Sequence, residues 1–254
     1  MIEQQESEPW HGIPTFIWKG HKWIARPLWG EFHSGDFTFW RDKSIPYISS
    51  NGDLHLPVKW SPKLSEKDGK VRNFAMSFVR TVEEWKYGTF EWDVILPQGY
   101  EMWSALWFES DEGWPPEIDA LEGWSDENGS YVKRLIYKNI KPTMHWSAGA
   151  DEDHGTHLSE AKHNNLRCII KPWPKVNTIK CTWTESYVDI FYNGYKLKRF
   201  KNSEMLQHFN KEGYKMHAVM SNGGWKTWSK FKDGSVITPE MEMIVKDFRY
   251  YPLK

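Results

Sequence analysis

Hydrophobic and polar residues alternate in short runs along most of this chain. Alternation over about four to eight residues is typical of β-strands that have one buried face. Glycine, proline or charged residues interrupt the runs at intervals of roughly ten residues. The pattern predicts strands at 53–60, 74–80, 88–96, 102–109, 117–124, 131–137, 143–146, 177–184, 187–192, 215–220 and 243–251.

Turn and helix signals fill the gaps between these runs. Asn193-Gly194 predicts a tight hairpin and Asn51-Gly52 a turn. Residues 61–72 are charged and turn-forming, which predicts a loop. Helical patterns are confined to a short turn at 157–162 and a short helix at 203–209. Many short strands with few helices predict an all-β fold, a two-sheet sandwich or jelly roll.

The chain reads as one domain. Its 254 residues suit a single large β-sandwich. Residues 1–30 are rich in tryptophan and proline without periodicity, so we interpret them as an N-terminal strapping segment of that domain. Residues 31–254 are then the single main domain.

The stretch around Glu117, Asp119 and Glu122 holds three carboxylates within six residues that are otherwise apolar. In a strand, Glu117 and Asp119 share a face, whereas Glu122 at an offset of five points the other way. A β-bulge of one extra residue between Asp119 and Glu122 would return Glu122 to the shared face. The alternatives are a solvated strand edge or a calcium site, since carboxylates two residues apart also bind hard cations.

Composition narrows the class of ligand. With 33 basic and 34 acidic residues the formal charge is −1, which gives no general attraction to nucleic acid or to an anionic membrane. The 17 tryptophans, 11 tyrosines and 13 phenylalanines exceed what a core of this size needs. Flat rings on a surface suit the apolar faces of sugars, so a polysaccharide partner is predicted.

Two further features bear on the compartment. Cys168 and Cys181 are the only cysteines, which excludes a disulfide framework and leaves one bridge open. The acidic N-terminus lacks the pattern of a secretory signal, and no apolar run is long enough to span a bilayer. We expect a soluble monomer that reaches an extracellular polysaccharide by export, release or delivery on a particle.

The acidic stretch and its flanks resemble glycoside hydrolase family 16, whose members include laminarinases, agarases, carrageenases and licheninases. Glu117-Ile118-Asp119-Ala120-Leu121-Glu122 is similar to the bulged Glu-x-Asp-x-x-Glu motif of laminarinase-like members. Similar flanks occur in the same order at Gly30-Glu31-Phe32, Asn51-Gly52-Asp53-Leu54, Tyr87-Gly88-Thr89-Phe90-Glu91, Met102-Trp103-Ser104-Ala105-Leu106-Trp107, Thr143-Met144-His145-Trp146, Thr182-Trp183-Thr184, Asn193-Gly194 and Val245-Lys246-Asp247-Phe248-Arg249-Tyr250-Tyr251.

The resemblance implies a β-jelly-roll of two curved antiparallel sheets with a concave substrate cleft, and a retaining endo-β-glycanase. Glu117 would be the nucleophile, Glu122 the general acid/base, and Asp119 the assisting residue. We place the proton on Glu122 and expect Asp119 to hydrogen-bond Glu117. The favoured substrate is a β-1,3-glucan of the laminarin type. The alternatives are a β-galactanase acting on agar, porphyran or carrageenan, a transglycosylase, and a non-catalytic polysaccharide-binding jelly roll.

Other residues are predicted to bind substrate, each with a plainer alternative. A tryptophan can also be a core residue, His145 an ordinary strand histidine, and the segment from Asn222 a plain turn. The predicted substrate-binding residues are Trp103, Trp107, Trp114, Trp124, His145, Trp146, Asn222 and Trp225.

No cofactor is required by this chemistry. The resemblance implies a structural calcium ion, for which Gly52 and Asp247 would be ligands. His154, His157 and His163 suggest zinc, but their spacing favours a polar loop. Arg72 and Arg80 could contact sulfate groups or be merely solvated.

Overall fold

A computed structural model of the chain describes residues 6–32, 39–66, 68–124, 140–148, 156–161, 170–171, 173–224 and 226–253. Within these ranges most of the chain lies in two β-sheets that share one hydrophobic core. The predicted all-β jelly-roll sandwich is therefore confirmed.

The first sheet has eleven described strands, numbered here in chain order. They are β1 (Glu6–Trp10), β2 (Ile13–Trp18), β3 (His21–Ile24), β4 (Phe39–Arg41), β7 (Val58–Leu64), β8 (Val71–Thr81), β10 (Met102–Ser110), β11 (Gly113–Trp124), β12 (Ile140–Ala148), β13 (Thr156–Ala161) and β17 (His217–Gly224). Their order is β1-β2-β3-β8-β17-β10-β11-β12-β13, and β4 and β7 also pair with the long strand β8. The pair of β4 with β8 is parallel.

The second sheet has seven described strands in the order β16-β15-β14-β9-β18-β6-β5. They are β5 (Tyr47–Ile48), β6 (Leu54–Leu56), β9 (Gly88–Ile95), β14 (Asn177–Trp183), β15 (Val188–Tyr192), β16 (Tyr195–Phe200) and β18 (Met243–Tyr251). Buried and partly exposed residues alternate along β9 and β14, as expected for strands with one face on the core.

Several local predictions are confirmed. The predicted helix is α1 (Ser203–Phe209), and the Asn202 side chain accepts a hydrogen bond from the backbone N–H of Glu204 at its start. Asn193 and Gly194 form the predicted hairpin turn, with φ values of 50° and 85°. Positive φ at both central residues is the geometry that an Asn-Gly pair favours. In the part of the chain that the structure describes, short 3₁₀ helices lie at Lys226–Lys230, Gly234–Val236 and Pro239–Met241.

The N-terminal segment contains regular strands that its lack of periodicity did not predict. It forms β1, β2 and β3, which extend the first sheet as an antiparallel meander, and β3 pairs with β8. Ile13, Phe16 and Trp18 of this segment are buried against the sandwich. Two turns that contain Gly12 and Gly20 at positive φ connect the strands.

Three local predictions are wrong in whole or in part because strand pairing overrides local composition. Residues 157–162 are predicted to form a helical turn, but up to Ala161 they lie in β13, which pairs with β12. The loop predicted at 61–72 is shorter than expected, since residues 61–64 continue β7 and residues 71–72 begin β8. The run predicted as one strand at 53–60 is divided between β6 in one sheet and β7 in the other. Pro57 separates them, since proline has no N–H to give to a ladder.

The core absorbs much of the aromatic surplus. Trp23, Trp92, Trp183 and Trp228 are fully buried in it. Cys181 is buried there too, and burial raises the pKa of its thiol. Cys168 and the predicted strand at 131–137 lie outside the described residues. Among the described helices, none has the length and apolarity needed to cross a bilayer.

Candidate active site

The three carboxylates lie on β11, and the predicted bulge is present. Asp119 pairs with Thr143 of β12, and Glu122 pairs with Lys141. Three steps along β11 therefore match two steps along β12, which is one extra residue. The register with β10 shifts at the same place. Glu117, Asp119 and Glu122 consequently all line one cleft of about 790 Å³ on the outer face of the first sheet.

The bulge is anchored from the opposite sheet. Ala120 and Leu121 are both buried, so the extra residue is directed into the core. The hydroxyl of Tyr192 on β15 donates a hydrogen bond of 2.9 Å to the carbonyl oxygen of Ala120. This bond satisfies a backbone acceptor that the irregular ladder could otherwise leave unpaired. Tyr192 is a positioning residue that the sequence reading missed.

Replacing Tyr192 by Phe is expected to lower kcat and to destabilise the fold by about 1 kcal/mol, because a buried acceptor loses its donor. KM should change less, since Tyr192 lies on the core side of the sheet. Steady-state kinetics and chemical denaturation check both effects. Tyr195→Phe, at an exposed position on the neighbouring strand, is the matched control. An unchanged kcat in Tyr192→Phe would refute the positioning role.

An indole N–H donates to each outer carboxylate. The Nε1–H of Trp103 donates to Glu122 Oε1 over 3.2 Å. The side chain of Trp114 hydrogen-bonds Glu117. Both indoles line the cleft, so the groups that fix the carboxylates also form part of its wall.

Asp119 lies beside His145. Its Oδ2 atom is 3.2 Å from His145 Nε2, whose distance to Glu117 Oε1 is 3.7 Å. The hydrogen bond predicted between Asp119 and Glu117 is absent among the described contacts, because His145 on the facing strand occupies that position. Burial lowers the pKa of His145 against the raising effect of the nearby carboxylates, which favours a neutral ring.

Burial raises the pKa of all three carboxyl groups. The charge of Asp119 adds to the effect on Glu117, and the charge of Glu122 adds to the effect on Asp119. For Glu122, Lys141 and the bond from Trp103 oppose the increase. Ionising all three of these crowded, buried carboxyl groups costs free energy. The cluster therefore retains protons that isolated carboxyl groups would lose.

Asp119→Asn is therefore expected to stabilise the folded protein at neutral pH. Asp119 has a folded pKa above its unfolded value, so its charge destabilises the fold as pH rises above the unfolded pKa. The gain should be present at pH 7 and vanish below about pH 3.5, where the unfolded chain is also protonated. Denaturation at several pH values measures it, with exposed Glu112→Gln as control. A gain that does not depend on pH would contradict this account.

The same residues could be considered as cation ligands. Ligand atoms of Glu117, Asp119 and His145 lie within 4.8 Å of one another. Calcium prefers oxygen ligands only, so a histidine in this set disfavours the calcium alternative for the acidic stretch.

The other predicted substrate-binding residues differ in where they lie. Trp103, Trp107 and Trp114 line the cleft as predicted. The side chains of Trp124 and Trp225 lie outside the described part of the chain.

Two of the predicted substrate residues face the core instead. Trp146 follows His145 on β12, and its ring is 5% exposed within the hydrophobic core. Asn222 follows the cleft residue Ser221 on β17, and its amide donates to the carbonyl oxygens of Leu56 and Met241. Adjacent strand residues point to opposite faces, which explains both errors.

The calcium site implied for Gly52 and Asp247 does not fit the described residues. The carbonyl oxygen of Gly52 accepts the indole N–H of Trp18 at 2.9 Å. The Asp247 carboxylate pairs with Arg249, and Lys19 Nζ lies 3.8 Å away. Calcium needs six to eight oxygen ligands, and the two cationic side chains beside the Asp247 carboxylate oppose its binding.

The arginines considered for sulfate binding are already paired. Arg72 forms a two-pronged ion pair with Asp68. Arg80 pairs with Glu109 and Asp111. His154 and His163 lie outside the described residues, as does the side chain of His157.

A different arginine, not identified from the sequence, lines the cleft. Arg41 on β4 is 5% exposed, and its Nε and Nη1 atoms have no hydrogen-bond partner among the residues that the structure describes. Its guanidinium carbon lies 3.9 Å from the ring centroid of Trp29, which also lines the cleft. Burial lowers the pKa of Arg41 to about 9. Three strands, β8, β17 and β10, separate β4 from β11 in the sheet.

Comparisons with known proteins bear on the fold. No protein-family model and no curated protein sequence matches this chain. Its fold is similar to that of the laminarinase catalytic domain from Thermotoga maritima MSB8, with 19% identity, a TM-score of 0.63, and 86% of this chain and 84% of that chain covered. It is also similar to SCLam, a non-specific endo-β-1,3(4)-glucanase from family GH16, with 18% identity, a TM-score of 0.63, and 91% and 84% covered.

A third similar structure comes from work on endo-acting O-glycanases with which human gut bacteria initiate mucin breakdown. It shares 15% identity at a TM-score of 0.65, with 91% of this chain and 85% of that chain covered. At such identities these likenesses establish the fold.

Proposed function

From the glycoside hydrolase family 16 fold of this chain, we infer that it is an endo-acting β-glycanase. The observation that carries the proposal is the placement of three carboxylates by a bulge into one open cleft. Retaining hydrolysis needs two carboxyl groups about 5 to 5.5 Å apart on the two sides of the scissile bond. Glu117 and Glu122 both line the cleft with Asp119 between them on β11, and this placement supports the proposal.

The proposed mechanism is a double displacement. Glu117, held by the Trp114 indole, attacks the anomeric carbon while Glu122 gives its proton to the leaving oxygen. Glu122 then removes a proton from the water that hydrolyses the glycosyl-enzyme. Burial raises the pKa of all three carboxyl groups, which supports the presence in this cluster of the proton that we place on Glu122 in the resting state. His145 and Asp119 together orient Glu117 and Glu122. None of these steps requires a cofactor.

The proposed substrate is an internal segment of a β-1,3-glucan. Trp103, Trp107, Trp114 and Trp29 offer apolar rings along the cleft, which suit neutral sugar rings. Two of the similar structures carry the names of a laminarinase and an endo-β-1,3(4)-glucanase. We expect the protein to act as a monomer on polysaccharide outside the cell.

Arg41 favours a second candidate, a β-galactanase acting on an anionic galactan such as porphyran or carrageenan. A buried guanidinium with free donors is costly unless an acceptor reaches it. A sulfate group on a bound sugar would supply a bidentate acceptor there.

A product assay over laminarin, lichenan, agarose, porphyran and carrageenan tests both candidates. The glucan proposal expects short oligosaccharides from laminarin, and activity confined to galactans would overturn it. Polysaccharide binding without products would identify a lectin-like jelly roll. Products longer than the substrate would identify a transglycosylase.

Arg41→Met separates the two substrate classes. If a sulfated sugar binds at Arg41, this variant should lose at least tenfold in kcat/KM on sulfated galactans, because one charge-assisted pair is worth about 1.5 to 3 kcal/mol. Activity on laminarin should fall less. Equal losses on both classes would show that Arg41 has only a structural role, and thermal unfolding monitors its fold.

A further inference from the structure

A second polar cluster lies outside the carboxylate site. Glu84 follows β8, Asp111 lies between β10 and β11, and His217 begins β17. Their ligand atoms all lie within 4.8 Å of one another. The three residues are far apart in sequence, so only the fold brings them together.

The hydrogen bonding of His217 fixes which ring nitrogen faces the cluster. Its Nδ1 atom is 2.8 Å from the carbonyl oxygen of Thr81. A carbonyl can only accept, so Nδ1 carries a proton, and Nε2 is the nitrogen whose lone pair the neutral form of the ring directs at the cluster. This ring is fully buried. Nε2 faces Asp111 Oδ2 at 3.3 Å and Glu84 Oε1 at 3.4 Å. With the ring in its neutral form, Nε2 and the two carboxylate oxygens are three converging acceptors.

The surrounding charges leave this cluster negative. Arg80 pairs through Nη1 with Glu109 and through Nη2 with Asp111 Oδ1. One arginine therefore faces three carboxylates, counting Glu84, and the balance is two negative charges. Arg80 approaches the far oxygen of Asp111, so Oδ2 stays directed at the imidazole.

The spacing suits a small tetrahedral ion. Zinc binds histidine nitrogen and carboxylate oxygen at about 2.0 to 2.2 Å, so two of its ligands lie about 3.3 to 3.5 Å apart. Both distances from Nε2 fall in this range. The bond from Nδ1–H to a backbone carbonyl is the outer contact that metal-bound histidines usually make.

We propose that Glu84, Asp111 and His217 bind a divalent transition-metal ion of the zinc class, with water at the fourth position. The carboxylates of Glu84 and Asp111 are 41% and 35% exposed, which gives the ion a route to the buried nitrogen. The ion would join the segment after β8, the turn between β10 and β11, and β17. Asp111 also lines the cleft, so the site would brace that wall independently of the proposed hydrolysis.

Metal binding to the whole purified chain, stripped with chelator, tests the proposal. Titration with Co²⁺ should give the intense visible spectrum of tetrahedral coordination, and calorimetry with Zn²⁺ should show a saturable site. Zn²⁺ should also raise the thermal midpoint. Glu84→Gln and Asp111→Asn should each weaken binding at least tenfold.

Matched variants keep the outcome interpretable. Glu112→Gln changes an exposed carboxylate on the same turn as Asp111 and should bind like wild type. His217→Gln should abolish metal binding. If this buried substitution prevents folding, the variants at the two exposed ligands, Glu84→Gln and Asp111→Asn, still test the proposal. Repeating the titration in a His145→Gln background removes any ion held at the carboxylate site.

Three results would overturn the proposal. They are equal affinity in wild type and Glu84→Gln, no tetrahedral Co²⁺ spectrum, or a doubly protonated His217 ring that persists in Zn²⁺ by nitrogen NMR. Loss of metal binding with activity intact would leave the glycanase proposal standing.

Discussion

Glu117→Gln is expected to abolish hydrolysis with the fold intact. An amide cannot attack the anomeric carbon, and losing a nucleophile should cost on the order of 10⁴-fold or more in kcat, about 5.5 kcal/mol of barrier. Glutamine keeps the shape of the side chain and an oxygen that can accept from Trp114. Release of reducing ends from the polymer, with circular dichroism for the fold, measures the effect.

The same variant carries its own controls. Because burial and Asp119 raise the pKa of Glu117, neutralising Glu117 should leave thermal stability at pH 7 equal or higher. Polysaccharide binding should persist, which separates a lost nucleophile from a lost cleft. Glu112→Gln, an exposed change near the start of β11, should stay fully active. A folded Glu117→Gln protein with more than about a tenth of wild-type activity would assign the attack to another group.

Glu122→Ala should slow cleavage of the polymer by about 10² to 10⁴-fold, the usual contribution of a general acid. On an aryl glycoside with an easily expelled phenolate, the first step needs no acid, so the glycosyl-enzyme should still form. Azide needs no general base to attack it. Added azide should therefore restore turnover and yield a β-glycosyl azide, which NMR identifies.

The anomer of that product assigns the two roles. In Glu117→Ala, azide would attack the substrate directly and give the α-glycosyl azide. If Glu122→Ala gave the α product instead, the nucleophile and acid/base would have to be exchanged. Lack of rescue in a folded Glu122→Ala protein would exclude the acid/base role.

The bulge was predictable because it follows from parity. Glu117 and Glu122 differ by an odd number of positions, and only an extra residue puts both on one face of a strand. The same rule, applied to β12 and β17, would have prevented two errors. Once His145 faces Glu117 and Asp119, and Ser221 lines the cleft, Trp146 and Asn222 must face the core.

Other parts of the site depend on contacts that no local pattern encodes. Arg41 reaches the cleft because β4 pairs with β8 in parallel, and no sequence pattern near residue 41 predicts that pairing. Tyr192 meets Ala120 across the sandwich, 72 residues away. The implied calcium site fails for a similar reason, since Lys19 arrives from the turn between β2 and β3. The proposed metal cluster likewise joins three distant segments.

The bond from Tyr192 to the bulge has a consequence for protein engineering. No described residue of the second sheet lines the cleft, yet Tyr192 on β15 of that sheet donates to the Ala120 carbonyl oxygen in the bulge that brings Glu122 to the face of Glu117 and Asp119. Mutant libraries confined to cleft residues would leave the hydrogen bond from Tyr192 to the bulge unchanged. Substitutions in β15 and in the hairpin after it should change kcat without changing substrate specificity. Substitutions in the cleft wall cannot separate these two effects.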